Sequence, residues 1–414
     1  MSEQSKPQLL ILGSGFGAFS LLKAIDLKRY EVTAVSKRNH FLYTPLLPST
    51  AVGTVEFRSI IEPIRKCLPG ITFMQGNALG IDSERQEVRC ESLDQKQNWN
   101  LTYDHLVIAV GAENNTYGVP GVREHACFLK EISDSRAIRQ TLIQCLEQAC
   151  LPQTTPEERS MLLHFVAVGG GPTGVRFAAE IYDLLFADLD KSYPELKGQI
   201  RVTLVEAGKT ILNAHDAVLR EYASAYFKRQ HIEVLTDSPV QEVGPNYLIL
   251  KSGKRIDAGI ILWSTGFAPG ALVTSLNVAK DRSGRILTTN HLQVIDHPKI
   301  HALGDCACPS GQNLPQLAQV AEQQGRYLAK QFNRSASGKR LFPFKWKNLG
   351  YSSYIGRQKA VVEYPRKYGN FTGFIAFLLW RSVIFTHLVS TKNKVLVPLD
   401  WLRTRIFGRD LSKF

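Results

Sequence analysis

The chain has 414 residues, of which 44% are hydrophobic and 21% are charged. This length allows two domains with buried cores and a smaller appendage, and the composition excludes wholesale disorder. Lysine and arginine outnumber aspartate and glutamate by 50 to 37, a formal net charge of +13, which favours an anionic partner such as a membrane surface, a nucleic acid or a phosphate-bearing cofactor.

The cysteines and the N-terminal segment carry no sign of secretion. Seven cysteines are scattered without zinc-type spacing, so we expect reduced core residues and no metal site. Residues 1–7 are polar and run straight into an apolar strand, which leaves no room for a signal peptide or presequence. We therefore expect a protein made without a cleaved leader. Since no nucleic-acid-binding motif accompanies the basic charge, we expect no nucleic-acid partner.

The first predicted elements are a strand at residues 9–12, a glycine loop, a helix at residues 19–27 and a strand at residues 32–35. The loop fits the G-x-G-x-x-(G/A) pattern, whose glycines permit a tight turn and close approach of a pyrophosphate. It consists of Gly13, Gly15, Phe16, Gly17 and Ala18, with Ser14 between the first two glycines. At the end of the second strand Ser36 replaces the usual acidic residue and can still bind a ribose hydroxyl.

The same order of elements recurs with a strand at residues 163–168, a helix from residue 175 to about residue 186 and a strand at residues 202–205. The second loop contains Gly169, Gly171, Pro172, Thr173 and Gly174. Glu206 ends the later strand, where it would bind a ribose 2′-hydroxyl and repel a 2′-phosphate, which favours NADH over NADPH. The chain therefore holds two dinucleotide-binding folds.

Two later apolar runs indicate the strands that close these folds. Residues 106–110 lead into Gly111, and residues 260–263 lead into Thr265 and Gly266. Each run is short, apolar and followed by a glycine turn, as is typical of a buried strand of a parallel sheet.

The remaining elements change in character towards the C-terminus. Residues 300–305 read as a strand tip that presents Asp305 to a ligand, and residues 317–332 as a helix. Aromatic strands are predicted over residues 342–354, followed by an apolar stretch over residues 371–389 and a basic tail. We interpret the last part as a separate C-terminal module.

The apolar stretch is too interrupted for a membrane span, because Arg381 lies in its middle. An interfacial helix on anionic lipid fits better, because the tail carries six cations against Asp400 and Asp410. The cations are Lys392, Lys394, Arg403, Arg405, Arg409 and Lys413. A core helix, or a helix packed on a second subunit, stays open as the alternative. We expect a chain cut at about Gly373 to leave membranes while its nucleotide-binding part still works.

In these motifs the chain resembles the type II NADH:quinone oxidoreductases, single-subunit dehydrogenases that do not pump protons, and most of all their mitochondrial-type members. The resemblance covers nearly the whole length, and its most specific segment runs from residue 39 to residue 65. Further matching segments are residues 169–175, 304–307, 318–325, 377–382 and 407–410.

The resemblance implies FAD and NADH as cofactors, a quinone as acceptor and a homodimer. The residues predicted to bind FAD are Gly13, Gly15, Phe16, Gly17, Ala18, Ser36, Arg38, Thr44, Pro45, Leu46, Gly111, Asp305, Ala318 and Gln319. Those predicted to bind NADH are Gly169, Gly171, Pro172, Thr173, Gly174, Glu206, Thr265 and Gly266. The quinone approach would be bordered by Gln319, Gln323 and Gln324.

One position departs from the family pattern. The family usually has glutamate after Gly-Pro-Thr-Gly-Val, near the flavin, and this chain has Arg176. A cation there would favour negative charge on the reduced flavin, so we expect Arg176 to tune the flavin.

We therefore predict an α/β protein with two Rossmann-like domains and a C-terminal membrane-associating module. The predicted parts are an FAD-binding domain (residues 1–115 and 286–335), an NADH-binding domain (residues 116–285) and the module (residues 336–414). Hydride would pass from NADH to FAD, and two electrons would then reach a membrane quinone. A same-fold flavoprotein with a soluble or sulfide acceptor, and a redox sensor that binds FAD and NAD, stay open. The expected location is the cytoplasmic face of a bacterial inner membrane, with the mitochondrial inner membrane as the alternative.

Overall fold

The computed structural model describes residues 6–189, 192–365 and 369–412, and these residues form two compact units. The first unit contains Met1–Phe41, Glu62–Glu113 and Phe267–Asn348. The second unit contains Leu42–Ile61, Asn114–Gly266 and Leu349–Phe414. The C-terminal segment thus shares a unit with the second glycine loop. The three-part division expected from the sequence stays a prediction about folding domains.

An eight-stranded sheet forms the centre of the first unit. The strand before the first glycine loop lies between two parallel neighbours, with Leu10 opposite both Thr33 and Leu106, so it is apolar on both faces. In spatial order the strands are Ala307–Pro309, Ile286–Thr288, Gln293–Val294, His297–Ala302, His105–Ile108, Gln8–Leu12, Glu31–Ser36 and Thr72–Gln75.

Two helices of the first unit pack backbone against backbone beside this sheet. A Cβ on Gly325 would lie 2.1 Å from the carbonyl oxygen of Gly17, so only glycine permits this approach. The helices of this unit are Phe16–Leu22, Ile64–Cys67, Ala271–Ser275 and Ala318–Ser335, with a helical turn at Gly304–Cys306. A separate antiparallel sheet contains Asn77–Asp82, Glu87–Glu91 and Asn98–Thr102.

The second unit repeats the parallel arrangement around the second glycine loop. Its sheet has the order Glu233–Leu235, Arg201–Val205, His164–Val168 and Ile260–Trp263, and all three pairings are parallel. A three-stranded antiparallel sheet contains Val240–Gly244, Tyr247–Leu250 and Arg255–Asp257. The parallel strands around both glycine loops confirm the predicted α/β fold class, although two pairings of the eight-stranded sheet are antiparallel.

Local signals explain where several helices of the second unit begin. The side chain of Asp216 accepts from the N–H of Val218 at 3.0 Å and caps one helix, and Pro172 occupies the first turn of another. The helices are Leu47–Ala51, Val122–His125, Ile132–Ala149, Pro156–Leu162, Pro172–Leu184 and Ala217–Arg229. Short helical turns lie at Thr44–Leu46, Phe57–Ile60, Leu185–Leu189 and Pro194–Leu196.

The C-terminal part of the second unit contains a small antiparallel sheet and two helices. The strands are Tyr351–Gly356, Lys359–Glu363 and Asn370–Thr372. The apolar helix is Gly373–His387, and the C-terminal helix is Thr391–Phe407. No helix within the described ranges has both the length and the hydropathy that crossing a bilayer requires. Four further short strands are His40–Leu42, Ile61–Pro63, Glu113–Asn114 and Phe267–Ala268.

The sequence misplaced some elements. The strands predicted over residues 342–354 were wrong in their first part, because residues 342–350 have no regular structure. Their backbone makes single bonds instead: Phe344 N–H donates to Asn290 O at 2.7 Å and Lys347 N–H to Gln323 Oε1 at 3.0 Å. The predicted basic tail is helical over most of its length, and Lys413 lies outside the described residues.

Candidate functional site

In the first glycine loop a side-chain Cβ would fit at the middle glycine but not at the glycines on either side. Gly13 has φ +120°, and a Cβ there would lie 2.2 Å from Ala109 O. A Cβ on Gly17 would lie 2.2 Å from the Leu303 side chain. The nearest atom to a Cβ on Gly15 is Arg38 Nη2 at 3.8 Å. The loop thus fits the dinucleotide pattern, in which one glycine permits the turn, one lets a pyrophosphate approach and one permits close packing.

Ser36 lies beside this loop at the predicted ribose position. Its hydroxyl is 2.9 Å from the hydroxyl of Ser14, and it accepts from the N–H of Arg38 at 3.3 Å. The local bonds fix the Ser36 side chain at the strand end and place Arg38 next to it. The structure therefore brings Ser36, Arg38 and the loop glycines together, as the sequence predicted.

The second glycine loop has the same geometry in the second unit. Gly169 has φ +109°, and a Cβ on Gly174 would lie 2.0 Å from Gly169 O. A Cβ on Gly171 would meet nothing within 4 Å. Pro172 and Thr173 are exposed, and the first turn of their helix has no acidic residue, so free N–H groups there can receive an anion. This loop also fits a dinucleotide.

Glu206 is held against the second loop by two short backbone bonds. Its Oε2 accepts from Gly170 N at 2.6 Å, and its Oε1 accepts from Gly208 N at 2.6 Å. The carboxylate keeps free lone pairs after these bonds, so it can still accept from ribose hydroxyls. The sequence placed this residue correctly because it ends the strand that follows the loop.

The two closing turns lie where the strand ends predicted them. Gly111 has φ +70° and open space at its Cβ position. In the second unit the Thr265 hydroxyl donates to Asn115 O at 3.0 Å. A Cβ on Gly266 would lie 2.1 Å from the Tyr117 hydroxyl. Thr265 and Gly266 are therefore fixed by the Asn115–Tyr117 turn, which the sequence did not single out.

The Gly-Asp turn of the first unit is positioned by glutamine side chains. Gln324, which is 1% exposed, accepts from Gly304 N at 2.7 Å, and Gln316 donates to Asp305 O at 2.9 Å. Gln323 exchanges two bonds with the backbone of Lys347, at 2.9 and 3.0 Å. The amide groups of Gln323 and Gln324 thus have protein partners that give them positioning roles. Gln319 lies half-buried in the first turn of the helix that begins at Ala318.

Arg176 lies against the segment predicted to line the flavin. Its Nη1 donates to the carbonyl oxygen of Pro45, which belongs to the helical turn Thr44–Leu46. Its guanidinium also lies over the ring of Trp380, 4.3 Å from the centroid. Burial lowers the pKa of Arg176 to about 10, against the opposing effect of Glu180, so the side chain is charged at neutral pH.

A buried set of polar residues, here named the Glu180 cluster, joins three distant parts of the second unit. Glu180 is 3% exposed and accepts from Ser49 at 2.5 Å and from Thr54 at 2.8 Å. Arg409 pairs with Asp188 at 2.7 Å and lies 3.9 Å from Glu180. Buried carboxylates need such partners, so Arg409 links the segment of Ser49 and Thr54 and the helix Pro172–Leu184 to the C-terminal part of the second unit.

A second carboxyl group borders the Glu180 cluster. Asp183 accepts from the Tyr354 hydroxyl and, at 2.7 Å, from the N–H of Arg357. Burial raises the pKa of Asp183 to about 6, and the charge of Glu180 adds to this shift. The same burial raises the pKa of Tyr354 well above its ordinary value. Asp183 therefore changes charge near neutral pH, unlike an exposed aspartate.

The sequence did not predict the Glu180 cluster. Ser49 and Thr54 occurred only as parts of a matching segment, and Arg409 was counted as a tail cation facing lipid. Glu180 itself was not singled out, although its position four residues after Arg176 on one helix was a usable signal. The effect expected from cutting the chain at Gly373 stays a prediction, and the structure adds that this cut removes Arg409, the cation that binds Glu180 and Asp188.

Three of the cations predicted to face lipid bind groups of the protein instead. Arg409 is buried in the Glu180 cluster, and Arg403 binds Glu56 at a side chain 45% exposed. Lys392 donates to Ile61 O at 3.0 Å. These three side chains therefore bind protein groups, and the positive charge available to lipid is smaller than the sequence predicted.

An apolar face covers the outside of the two C-terminal helices. Here named the apolar face, it consists of side chains that are 43–82% exposed. They are Phe374, Ile375, Leu378, Phe385, Val395, Leu399, Leu402, Ile406 and Phe407. On each helix most of these residues recur at spacings of three, four or seven and so share one side, and exposed apolar groups of this kind mark a site that contacts a membrane or another protein.

Cysteine chemistry has no support in the structure. All seven cysteines are free. Cys306 donates to Leu303 O at 3.2 Å and Cys308 to Gln312 O at 2.9 Å. Burial raises the pKa of Cys306 to about 12, which removes the reactive thiolate. Among the described residues no cluster of histidine, cysteine, aspartate and glutamate could hold a metal ion.

Comparisons with known proteins agree with this geometry. Residues 7–325 match the family model for pyridine nucleotide-disulphide oxidoreductases, and residues 349–410 match the NDH2 C-terminal domain. A probable NADH dehydrogenase of Dictyostelium discoideum is 41% identical over 413 residues, which cover 98% of this chain and 91% of that protein. The mitochondrial internal alternative NAD(P)H-ubiquinone oxidoreductase A1 of Arabidopsis thaliana is 39% identical over 442 residues, covering 99% and 86%. The structure of Plasmodium falciparum NDH2 in complex with NADH superposes with a TM-score of 0.92 at 26% identity, covering 99% and 100%.

Proposed function

The chain belongs to the pyridine nucleotide-disulphide oxidoreductase family and carries the NDH2 C-terminal domain, and from this membership we propose how it works as a type II NADH dehydrogenase. It is an FAD-dependent enzyme that oxidises NADH and reduces a quinone. The observation that carries the proposal is the presence of two glycine loops, one in each unit, each with an open central glycine. One chain can thus hold a flavin dinucleotide and a nicotinamide dinucleotide.

The first loop would hold FAD. Gly15 leaves space for the pyrophosphate, and Ser36 and Arg38 lie beside the loop for the ribose and phosphate groups. Asp305 would accept from ribityl hydroxyls, and the turn that carries it is fixed by Gln324. The helix that begins at Ala318 has no acidic residue in its first turn, so its N–H groups would stabilise negative charge on the flavin. When bound, FAD accepts a hydride and passes two electrons onward.

The second loop would hold NADH. Gly171 leaves space for the pyrophosphate, and the exposed helix start at Pro172 and Thr173 would bind it. Glu206 would accept from the ribose hydroxyls and repel a 2′-phosphate. Thr265 and Gly266 would border the nicotinamide. These residues predict a preference for NADH over NADPH.

Four residues of the second unit would line or tune the flavin: Arg176, Thr44, Pro45 and Leu46. Leu46 is fully buried and fixes the turn, while Thr44 and Pro45 are half-buried. The Arg176 charge beside Pro45 would favour negative charge on the reduced ring. Gln319 would border the quinone approach, with Gln323 and Gln324 shaping the backbone around it.

The apolar face would bind the surface of a membrane and bring the enzyme to its quinone. A quinone is confined to the bilayer, so the enzyme must reach it from the aqueous side. Because Arg409, Arg403 and Lys392 bind protein groups, we expect apolar burial to contribute more than attraction to anionic lipid. Part of the same face would pair two copies in the predicted homodimer.

The membrane would be a respiratory inner membrane. Several relatives carry mitochondrial names, and a bacterial inner membrane stays the alternative. In either compartment the enzyme would lie on one face as a peripheral protein. The apolar face contacts the lipid, and the second glycine loop takes NADH from water.

An anaerobic titration tests the proposed function. The purified yellow protein is titrated with NADH and then with short-chain ubiquinone, while the flavin absorbance is followed. Bleaching at about one NADH per flavin and recovery on addition of quinone support it, since two electrons are transferred. A colourless protein that takes up no flavin would contradict the proposed function. A reduced flavin that quinone does not reoxidise would also contradict it.

A further inference from the structure

Arg176 has two donor nitrogens that no group in the described part of the chain binds. The side chain is 7% exposed, and its Nη1 binds the carbonyl oxygen of Pro45. Its Nε and Nη2 are buried and have no partner among the described residues. Buried donors are nearly always paired, so two free donors on one cation indicate an acceptor supplied by a ligand.

The free donors form a fork. Nε–H and one N–H of Nη2 lie on the same edge of the planar guanidinium and point the same way. Two donors in this arrangement suit one or two oxygen atoms that carry negative charge. Because the opposite edge is fixed by Pro45 and the flat face by Trp380 at 4.3 Å, the fork has a defined direction.

The surroundings of the fork are aromatic. Trp380 stacks on Tyr354 with ring centroids 5.1 Å apart and on Phe377 with centroids 6.0 Å apart. Trp380 and Phe377 belong to the apolar helix Gly373–His387, whose other side exposes Ile375 as part of the apolar face. The guanidinium of Arg381 also lies over Phe377, 4.5 Å from the ring centroid, so the platform carries a second cation beside its three aromatic rings. A flat, apolar molecule with carbonyl oxygens fits it.

We propose that Nε and Nη2 of Arg176 bind a carbonyl oxygen of the quinone headgroup. This inference rests on the proposed function and names the residue that recognises its acceptor. The Trp380 platform connects the fork to the lipid-facing helix, the side from which a quinone arrives. Arg176 is thus a substrate-binding residue and not only a cation near the flavin.

The chemistry of quinone reduction explains why a cation is useful there. Overall, NADH, one proton and a quinone give NAD⁺ and a quinol. The hydride supplies two electrons and one proton, and solvent supplies the second proton. Negative charge develops on the carbonyl oxygens as the electrons arrive, and a fixed guanidinium stabilises that charge. Arg176 stays protonated throughout.

The test separates the two half-reactions in the full-length holoenzyme. Stopped-flow absorbance measures flavin reduction by NADH and then flavin reoxidation over a range of ubiquinone-1 concentrations. The variants are Arg176→Gln and Arg176→Lys. The control is Arg285→Gln, which changes an arginine of similar burial whose donors bind Asp281 and Leu314. Flavin content and midpoint potential are measured for each variant.

For Arg176→Gln we expect the quinone concentration for half-maximal reoxidation to rise by about 10-fold or more, because a charge-assisted bond is lost. Reduction by NADH should change by less than about 3-fold. Arg176→Lys keeps the charge without the fork and should fall between Arg176→Gln and the parent. Arg285→Gln should match the parent in both half-reactions.

Unchanged quinone saturation in Arg176→Gln would overturn the inference while leaving the proposed function intact. A shifted midpoint potential with unchanged quinone saturation would do the same and would assign Arg176 to the flavin alone. A raised half-saturation for NADH instead of quinone would assign the fork to nicotinamide. A parent enzyme that quinone does not reoxidise would overturn the proposed function itself.

Discussion

The second glycine loop and the Glu180 cluster lie in the same unit and are built in opposite ways. In the loop, Gly174 packs on Gly169 and Glu206 binds Gly208, so the partners are near in sequence or at adjoining strand ends. In the cluster, bonds join residues 126, 221 and 355 positions apart. The loop is formed by a short local sequence pattern, whereas the cluster forms only where residues near the C-terminus pack against segments far away in the sequence.

This difference predicts different responses to mutation. The loop glycines are needed because backbone and ligand approach closely, so their replacement should act on nucleotide binding. The cluster consists of buried charges whose partners come from separate segments, so loss of one partner leaves the others uncompensated. We expect mutations in the loop to weaken nucleotide binding, and mutations in the cluster to lower the free energy of unfolding of the whole unit.

The largest expected effect is that of Arg409→Ala. It leaves Glu180 and Asp188 buried without their cation and should lower the free energy of unfolding by about 3–5 kcal/mol. Urea denaturation followed by tryptophan fluorescence measures it. Arg58→Ala, at an exposed arginine of the same unit, is the control and should stay within about 0.5 kcal/mol of the parent. Equal losses in the two variants would remove the contrast between the loop and the cluster.

A smaller effect should appear as pH dependence at Asp183. Its folded pKa of about 6 lies above the unfolded value of 3.8, so the folded state binds the proton more tightly. The associated stability is present below about pH 4 and is lost as pH rises through about 6. The loss should be about 1–3 kcal/mol, reduced by solvent because the side chain is half-buried. Glu180, Arg409 and the hydrogen bond from Tyr354 also act on this carboxyl.

Unfolding free energies of the parent and of Asp183→Asn between about pH 4 and 7 check the sign of this effect. The parent curve should fall relative to the variant curve over this range. Parallel curves would show that Asp183 has an ordinary pKa and that the border of the cluster is open to water.

Two alanine variants sharpen the comparison within the loop. In Gly174→Ala the Cβ would lie 2.0 Å from Gly169 O, so we expect a loss of about 1–3 kcal/mol in stability together with weaker NADH binding. In Gly171→Ala the Cβ meets no protein atom within 4 Å, so stability should change by less than about 1 kcal/mol. Only NADH affinity should fall, because the Cβ occupies the pyrophosphate space. Thermal unfolding and NADH titration of the flavin measure both quantities. A stable Gly174→Ala protein would contradict the packing argument.

The smallest effect on stability is expected on the apolar face. Ile375→Glu alters a side chain 63% exposed and should change the free energy of unfolding by less than about 0.5 kcal/mol. Binding to vesicles of zwitterionic and anionic phospholipid should nevertheless weaken clearly, as measured by co-sedimentation. Leu93→Glu, at an exposed leucine of the first unit, should leave vesicle binding unchanged. Point variants are needed because truncation would also remove Arg409. Equal binding of both variants would place the membrane contact elsewhere.

Much of the nucleotide-binding part followed from the sequence because its signals are local. The spacing of Gly13, Gly15 and Ala18 after an apolar strand specified the first loop, and the strand-end position specified Glu206. The quinone roles of Gln323 and Gln324 stay predictions, and the sequence did not show that both side chains bind the protein backbone. Sequence spacing places an amide on a helix but does not show which backbone group it meets.

The sequence by itself determined the two α/β repeats, their glycine loops and the apolar character of the C-terminal helices, because these depend on residue periodicity and on backbone geometry within a few turns. Only the tertiary structure decided which tail cations are buried, which partners hold Glu180, and that Arg176 keeps two donors free beside Trp380. Those facts depend on contacts between segments far apart in the chain, and no local pattern encodes the partner that such a segment meets.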